Sequence, residues 1–410
     1  MSVRRAACTA AAILFAIPSA AVPQTASNLR AGFRAARAAP ERPVSRGRRP
    51  RNYAYPCANS SNGSGSFLGG GYANVASGQY GSVVAGEYND ACTDESVIAA
   101  GMANGIYVDS NNPQGGAYGT FIGAGHENTS SGFYTALGAG EDNAITSLGA
   151  WSFLGAGQYD NVNAPFAFIG AGIDNETDGQ NSFVGGGQGN VATGSYAAVV
   201  GGGLGGSYEL GQHDGNVASG DYSLVGAGQG NQASGIASAV VAGYSNFVTG
   251  GYAVVGGGEA GLASGTLAFI GAGYSNRASG AAAYVGAGSN NLASGGGAVV
   301  AGGGAPFTTN GATAGTPVAG NTASGFDAFV GAGEANTAAA AAAVVGGGNG
   351  NIVSPGTAGR ANGAAYGTIG GGLWKRRQVA GGGRRGVRRR RGRREQYRDG
   401  RRRQRRRRRR

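Results

Sequence analysis

Residue types that usually carry catalysis and metal binding are scarce in this chain. Its 410 residues include only two histidines, three cysteines and two tryptophans. His126 and His213 are far apart, and neither has a partner at the spacing of a metal site or a catalytic triad. No Gly-Lys-Ser/Thr completes a phosphate-binding loop, and among 85 glycines a bare Gly-x-Gly-x-x-Gly match carries no weight. The sequence predicts a protein that is not an enzyme, with no cofactor and no small-molecule substrate.

The few remaining polar candidates are weak. His126 beside Glu127 is typical of a solvated turn, and Asp174 and Glu176 are interpreted as solvated corners. Calcium-binding solenoids need Gly-Gly-x-Gly-x-Asp at a period of about nine residues, and this sequence has no such phrase. We therefore assign no catalytic, cofactor-binding or metal-binding residue.

Long apolar runs are also absent, with one short exception at the amino end. Arg4 and Arg5 precede an apolar stretch from Ala6 to Ile17, and Ser19-Ala20-Ala21 offers small residues for cleavage. This order is typical of a secretory signal peptide, which we predict over residues 1–21. An uncleaved anchor is the alternative, although the stretch is short for a membrane-spanning helix. The mature chain is expected to be exported.

Cysteine usage agrees with an oxidising compartment. Cys8 lies in the predicted signal peptide, so Cys57 and Cys92 remain as a pair. They either form a disulfide that pins the first coils or stay as two isolated thiols, because the sequence does not give their separation. Neither cysteine has the Cys-x-x-Cys spacing of a metal site.

The net charge of +12 conceals a strong asymmetry along the chain. Between Asn52 and Trp374 there are 18 acidic residues and only two arginines, so this body is acidic. Residues 22–65 form a basic leader rich in Ala, Pro and Arg, which we predict to be disordered. Residues 375–410 are mostly arginine and glycine and are predicted to be disordered as well. This tail either binds polyanions, including nucleic acid non-specifically, or is the product of a shifted reading frame.

What the chain does have is a phrase that returns every fifteen residues. It reads Asn-x-Ala-Ser-Gly, then a short apolar run, then Gly-Ala-Gly or Gly-Gly-Gly. A short fixed period indicates stacked identical coils, so residues 66–374 are predicted to form a β-solenoid. Its asparagine stands at Asn74, Asn89, Asn104, Asn216, Asn231, Asn246, Asn276, Asn291, Asn321, Asn336 and Asn351, with Gly261 standing in once.

With that asparagine counted as position 1, small residues at position 8 and Val, Leu or Ile at position 10 predict a thin core, because residues two apart in a strand share a side. Positions 7 and 9, which face the other way, also carry apolar residues. An apolar outer row over many coils predicts contact with another chain, and the alternative is a set of tolerated surface aromatics. The outer residues are Tyr80, Tyr134, Tyr196, Tyr222 and Tyr252 at position 7, and Leu224, Val254, Phe269, Tyr284, Val299, Phe329 and Val344 at position 9.

Glycines at positions 5 and 13 predict the corners of the coil, because only glycine adopts positive φ without steric cost. We expect the asparagine to serve a corner as well, since it tolerates the left-handed region and bonds its own backbone. Two short strands and two turns then account for the whole period.

The register slips at four places, where extra residues are predicted to loop out of the stack. Two of these stretches run from Tyr107 to Tyr118 and from Gly206 to Gly215. The other slips lie between Asn143 and Asn161 and between Gly304 and Asn321. The added loops either carry recognition or are neutral insertions.

Two units read Asn216-Val-Ala-Ser-Gly-Asp-Tyr-Ser-Leu-Val-Gly-Ala-Gly and Asn321-Thr-Ala-Ser-Gly-Phe-Asp-Ala-Phe-Val-Gly-Ala-Gly. They resemble the head repeats of YadA-like trimeric autotransporter adhesins, and the resemblance covers most of 66–374. It implies a left-handed parallel β-roll, a homotrimer with chains side by side, and attachment to host matrix or another cell-surface macromolecule. The family's coiled-coil stalk and strand anchor have no counterpart after Trp374. We expect a cell-surface or outer-membrane location if the protein is anchored, and secretion otherwise.

Two rival functions stay open beside the adhesin. A polyanion-binding secreted protein would act through residues 375–410. A monomeric secreted solenoid that binds ice or crystal faces would use a row of hydroxyl side chains at position 4. That row is Ser77, Thr193, Ser219, Ser234, Thr249, Ser264, Ser279, Ser294 and Ser324.

Overall fold

The computed structural model describes residues 59–108, 117–203, 215–304, 320–355 and 366–379. All regular structure in these residues is β, and none of them is helical. The prediction of an all-β parallel β-solenoid is confirmed, whereas its handedness and trimeric assembly stay predictions. The predicted signal peptide, residues 22–58 of the leader and the tail after Val379 lie outside the described residues.

Nearly every coil contributes one two-residue strand to each of two sheets. Positions 2 and 3 enter the first sheet, which has 19 strands, and positions 9 and 10 enter the second, which has 18. Each strand pairs in parallel with its counterpart in the next coil, as Val217 does with Gln232 and Leu224 with Ala239. The coils therefore stack in register at the strand spacing of a sheet, about 4.8 Å.

The strands divide between the two sheets as follows. The first sheet contains Ser60–Ser61, Val75–Ala76, Asp90–Ala91, Gly105–Ile106, Thr129–Ser130, Ala144–Ile145, Asn161–Val162, Glu176–Thr177, Val191–Ala192, Val217–Ala218, Gln232–Ala233, Phe247–Val248, Leu262–Ala263, Arg277–Ala278, Leu292–Ala293, Thr322–Ala323, Thr337–Ala338, Ile352–Pro355 and Arg376–Val379. The second contains Phe67–Leu68, Ser82–Val83, Val97–Ile98, Phe121–Ile122, Ala136–Leu137, Phe153–Leu154, Phe168–Ile169, Phe183–Val184, Ala198–Val199, Leu224–Val225, Ala239–Val240, Val254–Val255, Phe269–Ile270, Tyr284–Val285, Val299–Val300, Phe329–Val330, Val344–Val345 and Thr368–Ile369.

A third side of the coil is formed by single bridging residues at position 14. Gln229 bridges to Tyr244 and Tyr244 to Glu259, again in parallel. The coil is therefore three-sided, and the expectation of two strands and two turns is wrong in this respect. Fifteen residues leave room for this short third side because the two main strands use only two residues each.

The core is a narrow column of small and medium side chains, mostly apolar, with Ser or Thr at some inward positions, as the alternation predicts. Positions 3, 8 and 10 point inward, and Ala218, Ala253 and Val255 have no exposed surface. The largest fully buried side chains are Ile, Leu and Val, with no aromatic ring among them. A coil this narrow holds about one branched residue per sheet, so stability must come from repetition of the coil rather than from a large core.

The asparagine at position 1 is buried and forms an internal ladder. Nδ2 of Asn231 donates to the carbonyl oxygens of Ala227 at 3.1 Å and Gly243 at 2.8 Å. Its Oδ1 accepts from the backbone N–H and the Nδ2 of Asn246, both at 3.1 Å. The expectation that this asparagine serves a left-handed corner is wrong, because Asn231 does not adopt positive φ and its side chain is the one that satisfies turn carbonyls buried inside the narrow coil.

Three residues replace asparagine in the ladder. Gly261 donates its N–H to Asn246 Oδ1 but has no side chain to pass the chain of bonds onward. Lys375 donates its N–H to Asn351 Oδ1 and its Nζ to Gly371 O, which takes over one of the amide's bonds. Asp160 occupies the ladder in the coil after the slip that the sequence analysis placed between Asn143 and Asn161. That register was wrong by one residue, because Val162 must face the core and Asn161 must then face outward.

The glycine columns have two different causes. Position-13 glycines such as Gly228, with φ of 105°, adopt the positive φ that was expected. Position-5 glycines do not. A Cβ at Gly220 would overlap the carbonyl oxygen of Gly235 in the next coil, so close stacking excludes a side chain there. The positive φ falls instead on positions 7 and 15, where non-glycine residues such as Tyr222 and Ser245 adopt it.

The predicted insertions leave the stack undisturbed. Gly105 pairs with Thr129 across the first slip, and Val191 pairs with Val217 across the slip after Asn190. Residues 109–116 and 204–214 lie outside the described residues. Their flanking strands keep the register of an uninterrupted solenoid.

Replacing a ladder asparagine should destabilise the solenoid far more than replacing its neighbour. Asn291→Ala removes donors to Ala287 O and Gly303 O and an acceptor for Asn321, and we expect a loss of about 2–4 kcal/mol, given about 1–3 kcal/mol per buried unsatisfied group. Asn290→Ala is the matched control at position 15, where Ala is common, with an expected cost of about 1 kcal/mol or less. Guanidinium unfolding followed by circular dichroism measures both. Equal midpoints would contradict the ladder's role.

Adding one methyl group should distinguish a glycine constrained by the next coil from a glycine with free space around its Cα. Gly220→Ala places Cβ against the carbonyl of Gly235, and overpacking of this kind costs about 1–3 kcal/mol. Gly257→Ala, at position 12, meets nothing closer than 3.8 Å and should change stability by less than about 0.5 kcal/mol. Thermal unfolding of the two variants tests this difference, and a tolerated Gly220→Ala would contradict the stacking argument.

Candidate functional site

Positions 7 and 9 carry aromatic or aliphatic residues in many coils, along the outside of the second sheet and the corner before it, and position 7 is interrupted by Glu95, Asn181 and Asp327. We call positions 7 and 9 the aromatic columns. Position 9 lies on the strand and faces outward, and position 7 lies two residues earlier, on the far side of the buried position 8. At position 9 Phe121 is 42% exposed and Phe153 is 41% exposed, and at position 7 Trp151 is 55% exposed. The prediction that apolar residues at positions 7 and 9 face outward in many coils is confirmed.

The rings in these columns stack on their counterparts in the neighbouring coils. At position 9 the ring centroids of Phe153 and Phe168 are 5.3 Å apart, and those of Phe168 and Phe183 are 5.2 Å apart with planes at 7°. At position 7 Trp151 stacks on Phe166 at 5.3 Å and on Tyr134 at 6.3 Å. The spacing follows from the rise of the coil, which is close to the preferred separation of stacked rings.

Stacking decides which part of each ring faces solvent. Because the planes are nearly parallel, the ring faces cover one another along the column, and the ring edges remain exposed. A sugar-binding platform needs open ring faces, so the columns are poorly suited to that use. Rows of ring edges suit contact with other apolar side chains, because edges and aliphatic groups pack closely.

Charge separates the second sheet from the first. In the described coils position 9 carries no charged residue, from Phe67 to Thr368. The equivalent outward position of the first sheet, position 2, carries Asp90, Glu176 and Arg277 among other types. A surface without charge over many coils is the usual composition of an interface centre.

The hydroxyl row at position 4 flanks the first sheet. Thr193 and Ser219 stand in neighbouring coils of that row. The position-2 side chains beside the row vary widely and include Phe247, Leu262 and Arg277. Side chains of such different size break the flat, uniform array that binding to an ice or crystal face would need.

Glu176 is placed differently from its prediction as a solvated corner. It lies on a first-sheet strand and is partly buried, and the Nδ2 of Asn163 donates to Glu176 at 3.0 Å and to Asp178 at 2.8 Å. Burial, and then the nearby Asp178 carboxylate, raise the pKa of Glu176 to about 7. No pattern in the sequence marks this placement, because position 2 elsewhere holds neutral residues as well as charged ones. Asp174 lies at position 15, a corner, as expected.

Among the described residues, His126 and Cys92 each contact carboxylates and do not come together with each other. His126 lies at the bridging position 14, with ring nitrogens 3.8 Å from Glu127 and 4.0 Å from Glu141, and is partly exposed. His213 and Cys57 lie outside the described residues. The thiol of Cys92 donates to Asp90 Oδ1 at 2.6 Å, and burial together with this carboxylate raises the pKa of Cys92 to about 12.

Within the described coils no group of three or more His, Cys, Asp or Glu side chains is arranged to hold a metal ion. No helix suited to crossing a membrane occurs in the same residues. No protein-family model matches the chain, and no curated protein matches its sequence. The aromatic columns are therefore the feature from which a function has to be argued.

Cys92 should react slowly with thiol reagents in the folded chain. A thiol with a raised pKa holds little thiolate at pH 8, so we expect alkylation by iodoacetamide at least about tenfold slower than for a free cysteine. Asp90→Asn removes the neighbouring carboxylate and should speed the reaction. Peptide mapping by mass spectrometry follows Cys92 itself, and the denatured chain gives the reference rate. Equal rates in folded and denatured protein would contradict the assignment.

Proposed function

We propose that this chain is a non-enzymatic, exported structural protein that attaches to a macromolecular surface through its repetitive solenoid, assembled as a homotrimeric adhesin head. The observation that carries the proposal is the pair of aromatic columns, whose ring edges face solvent in a single chain. The likeness of the repeats to YadA-like heads supports it. A cell-surface location if the protein is anchored, and secretion otherwise, belong to the same proposal.

The spacing of the columns argues for a second copy of the same chain as the partner. A row of ring edges repeating at about 4.8 Å packs best against a row with the same repeat, and sister chains have that repeat by construction. Chains aligned side by side bring equivalent coils to the same height. A closed threefold arrangement then buries the position-9 column of every chain without leaving an open edge.

Charge favours the second sheet as the contact surface. The body of each chain is acidic, so bringing sister chains together is favourable only where the contact itself carries no charge. Position 9 meets that condition in every described coil. Its burial also removes a large apolar surface from water, which is the main driving force for association.

Assembly on the second sheet leaves the first sheet and the bridging side outward. These surfaces repeat coil after coil, so a target that meets one coil weakly meets many coils at once. Joining three chains multiplies that effect, because linked weak contacts raise the overall avidity strongly. An adhesin needs this kind of binding, in which no single pocket is required.

One charged substitution in the contact column tests the assembly. Phe168→Asp places a carboxylate in the middle of the proposed contact and should convert a trimer to a monomer at micromolar concentration, because an unpaired buried charge is strongly unfavourable. Gln232→Asp is the matched control on the first sheet, where Asp90 already holds the equivalent position. Sedimentation velocity of the full-length chain measures both. A monomeric parent chain would contradict the proposal.

Adhesion is the second readout of the same variants. Plates coated with extracellular-matrix protein, or with whole cells, should retain the parent chain and Gln232→Asp. Phe168→Asp should be retained at least about tenfold less well, because a monomer loses the linked contacts. A trimer that binds none of these surfaces would keep the assembly and remove the adhesin function.

A further inference from the structure

One rung of the asparagine ladder is an acid. Asp160 is fully buried at position 1, between Asn143 and Asn175. Its N–H donates to Asn143 Oδ1 at 3.0 Å, and its Oδ1 accepts from the N–H and Nδ2 of Asn175 at 2.8 and 2.9 Å. The acceptor half of the ladder is therefore intact in this coil.

The donor half of the ladder is missing. In the next coil Asn175 Nδ2 donates to Gly187 O at 3.1 Å. The corresponding atom of Asp160 is Oδ2, which is buried and has no hydrogen-bond partner. Both Asp160 Oδ2 and the Gly172 carbonyl oxygen border the Cβ position of Gly157, as Asn175 Nδ2 and Gly187 O border that of Gly172. A carboxyl oxygen thus replaces the amide nitrogen beside a carbonyl oxygen.

Two oxygen acceptors cannot bond to each other unless one carries a hydrogen. A proton on Oδ2 would let Asp160 donate to the Gly172 carbonyl, and the rung would then be complete. An ionised carboxylate would put two electron-rich oxygens together in a buried position, which is costly. We propose that Asp160 is a proton switch built into the solenoid: its coil is more stable when Oδ2 is protonated and less stable when the carboxyl is ionised.

The surroundings of Asp160 favour the protonated form. Asp142 precedes the rung below, and Asp174 precedes the rung above. Glu176 follows that upper rung and has Asp178 beside it. Burial raises the pKa of Asp160 from 3.8 to about 6, and the Asp174 carboxylate contributes in the same direction. The basic residues described in the solenoid, such as Arg277, are several coils away.

The sign of the pH effect follows from that direction. Because the folded coil binds the proton more tightly than the unfolded chain, there is no penalty below about pH 4, where both states are protonated. Stability falls as the pH rises from about 4 to about 6, and the penalty is constant at higher pH. Glu176 acts in the same sense up to about pH 7. The coils that begin at Asn143, Asp160 and Asn175 should therefore be more stable in mild acid than at neutral pH.

Hydrogen exchange on the full-length chain tests the proposal locally. After correction for the intrinsic rate, peptides from 143–177 should lose protection at pH 7.5 relative to pH 5, whereas peptides from 231–300 should not. Asp160→Asn restores the ladder and should raise the protection of 143–177 at pH 7.5 by on the order of 100-fold, the equivalent of about two pKa units. Glu176→Gln gives the separate contribution of that carboxyl.

Two further variants keep the test decisive. Asn231→Asp transfers the acid to another rung and should make that coil sensitive to pH in the same window. Asp327→Asn, at an exposed corner, is the matched control and should change nothing. A pH-dependent loss of protection in 143–177 that is as large in Asp160→Asn as in the parent chain, or an Asn231→Asp chain with no local loss, would overturn the proposal. This test is independent of the proposed adhesin function.

Discussion

The buried asparagine ladder is the interaction on which the rest of this solenoid depends. A coil of fifteen residues has more backbone than core, and its tight turns direct carbonyl groups inward, where water cannot satisfy them. One amide per coil solves this problem, because Nδ2 donates to two turn carbonyls while Oδ1 accepts from the coil above. The ladder therefore joins consecutive coils through side-chain bonds in addition to the parallel strand pairs. The thin Val and Ala core would not hold such narrow coils in register by packing alone.

Much of this fold could be predicted from the sequence, because the period is short and the columns are regular. The coil, the inward positions 8 and 10 and the outward positions 7 and 9 all follow from alternation. The role of Asn231 was not predictable in the same way. An asparagine next to glycines is as typical of an exposed turn as of a buried ladder, and only the third side of the coil encloses it. The role of Gly220 was hidden for a related reason, since its constraint comes from Gly235 in the next coil and not from its own φ.

Prediction of the candidate site from the sequence also succeeded for repeated features and failed for features that occur once. The aromatic columns were found because many coils repeat them, and repetition is what sequence analysis detects best. Asp160 was missed because it departs from the pattern once, and Glu176 was wrongly interpreted as a solvated corner because position 2 holds many residue types. The extra residues after Asn143 shifted the apparent register by one, so that the nearby Asn161 seemed to continue the ladder. The alternation of inward and outward residues at Val162 could have corrected this register. A valine on the outer face would have left the core of that coil empty.

The division between inside and outside explains how one chain can keep a uniform fold and a varied surface. The ladder, the inward Val and Ala columns and the position-5 glycines are fixed by contacts between coils, so few other residue types fit there. Outward positions have no such constraint and range from Phe247 to Arg277 on the first sheet. The absence of charge at position 9 is then informative, because nothing inside the coil requires it. A column that stays uncharged over so many coils without an internal reason calls for an external one, and the proposed contact with another chain would supply that reason.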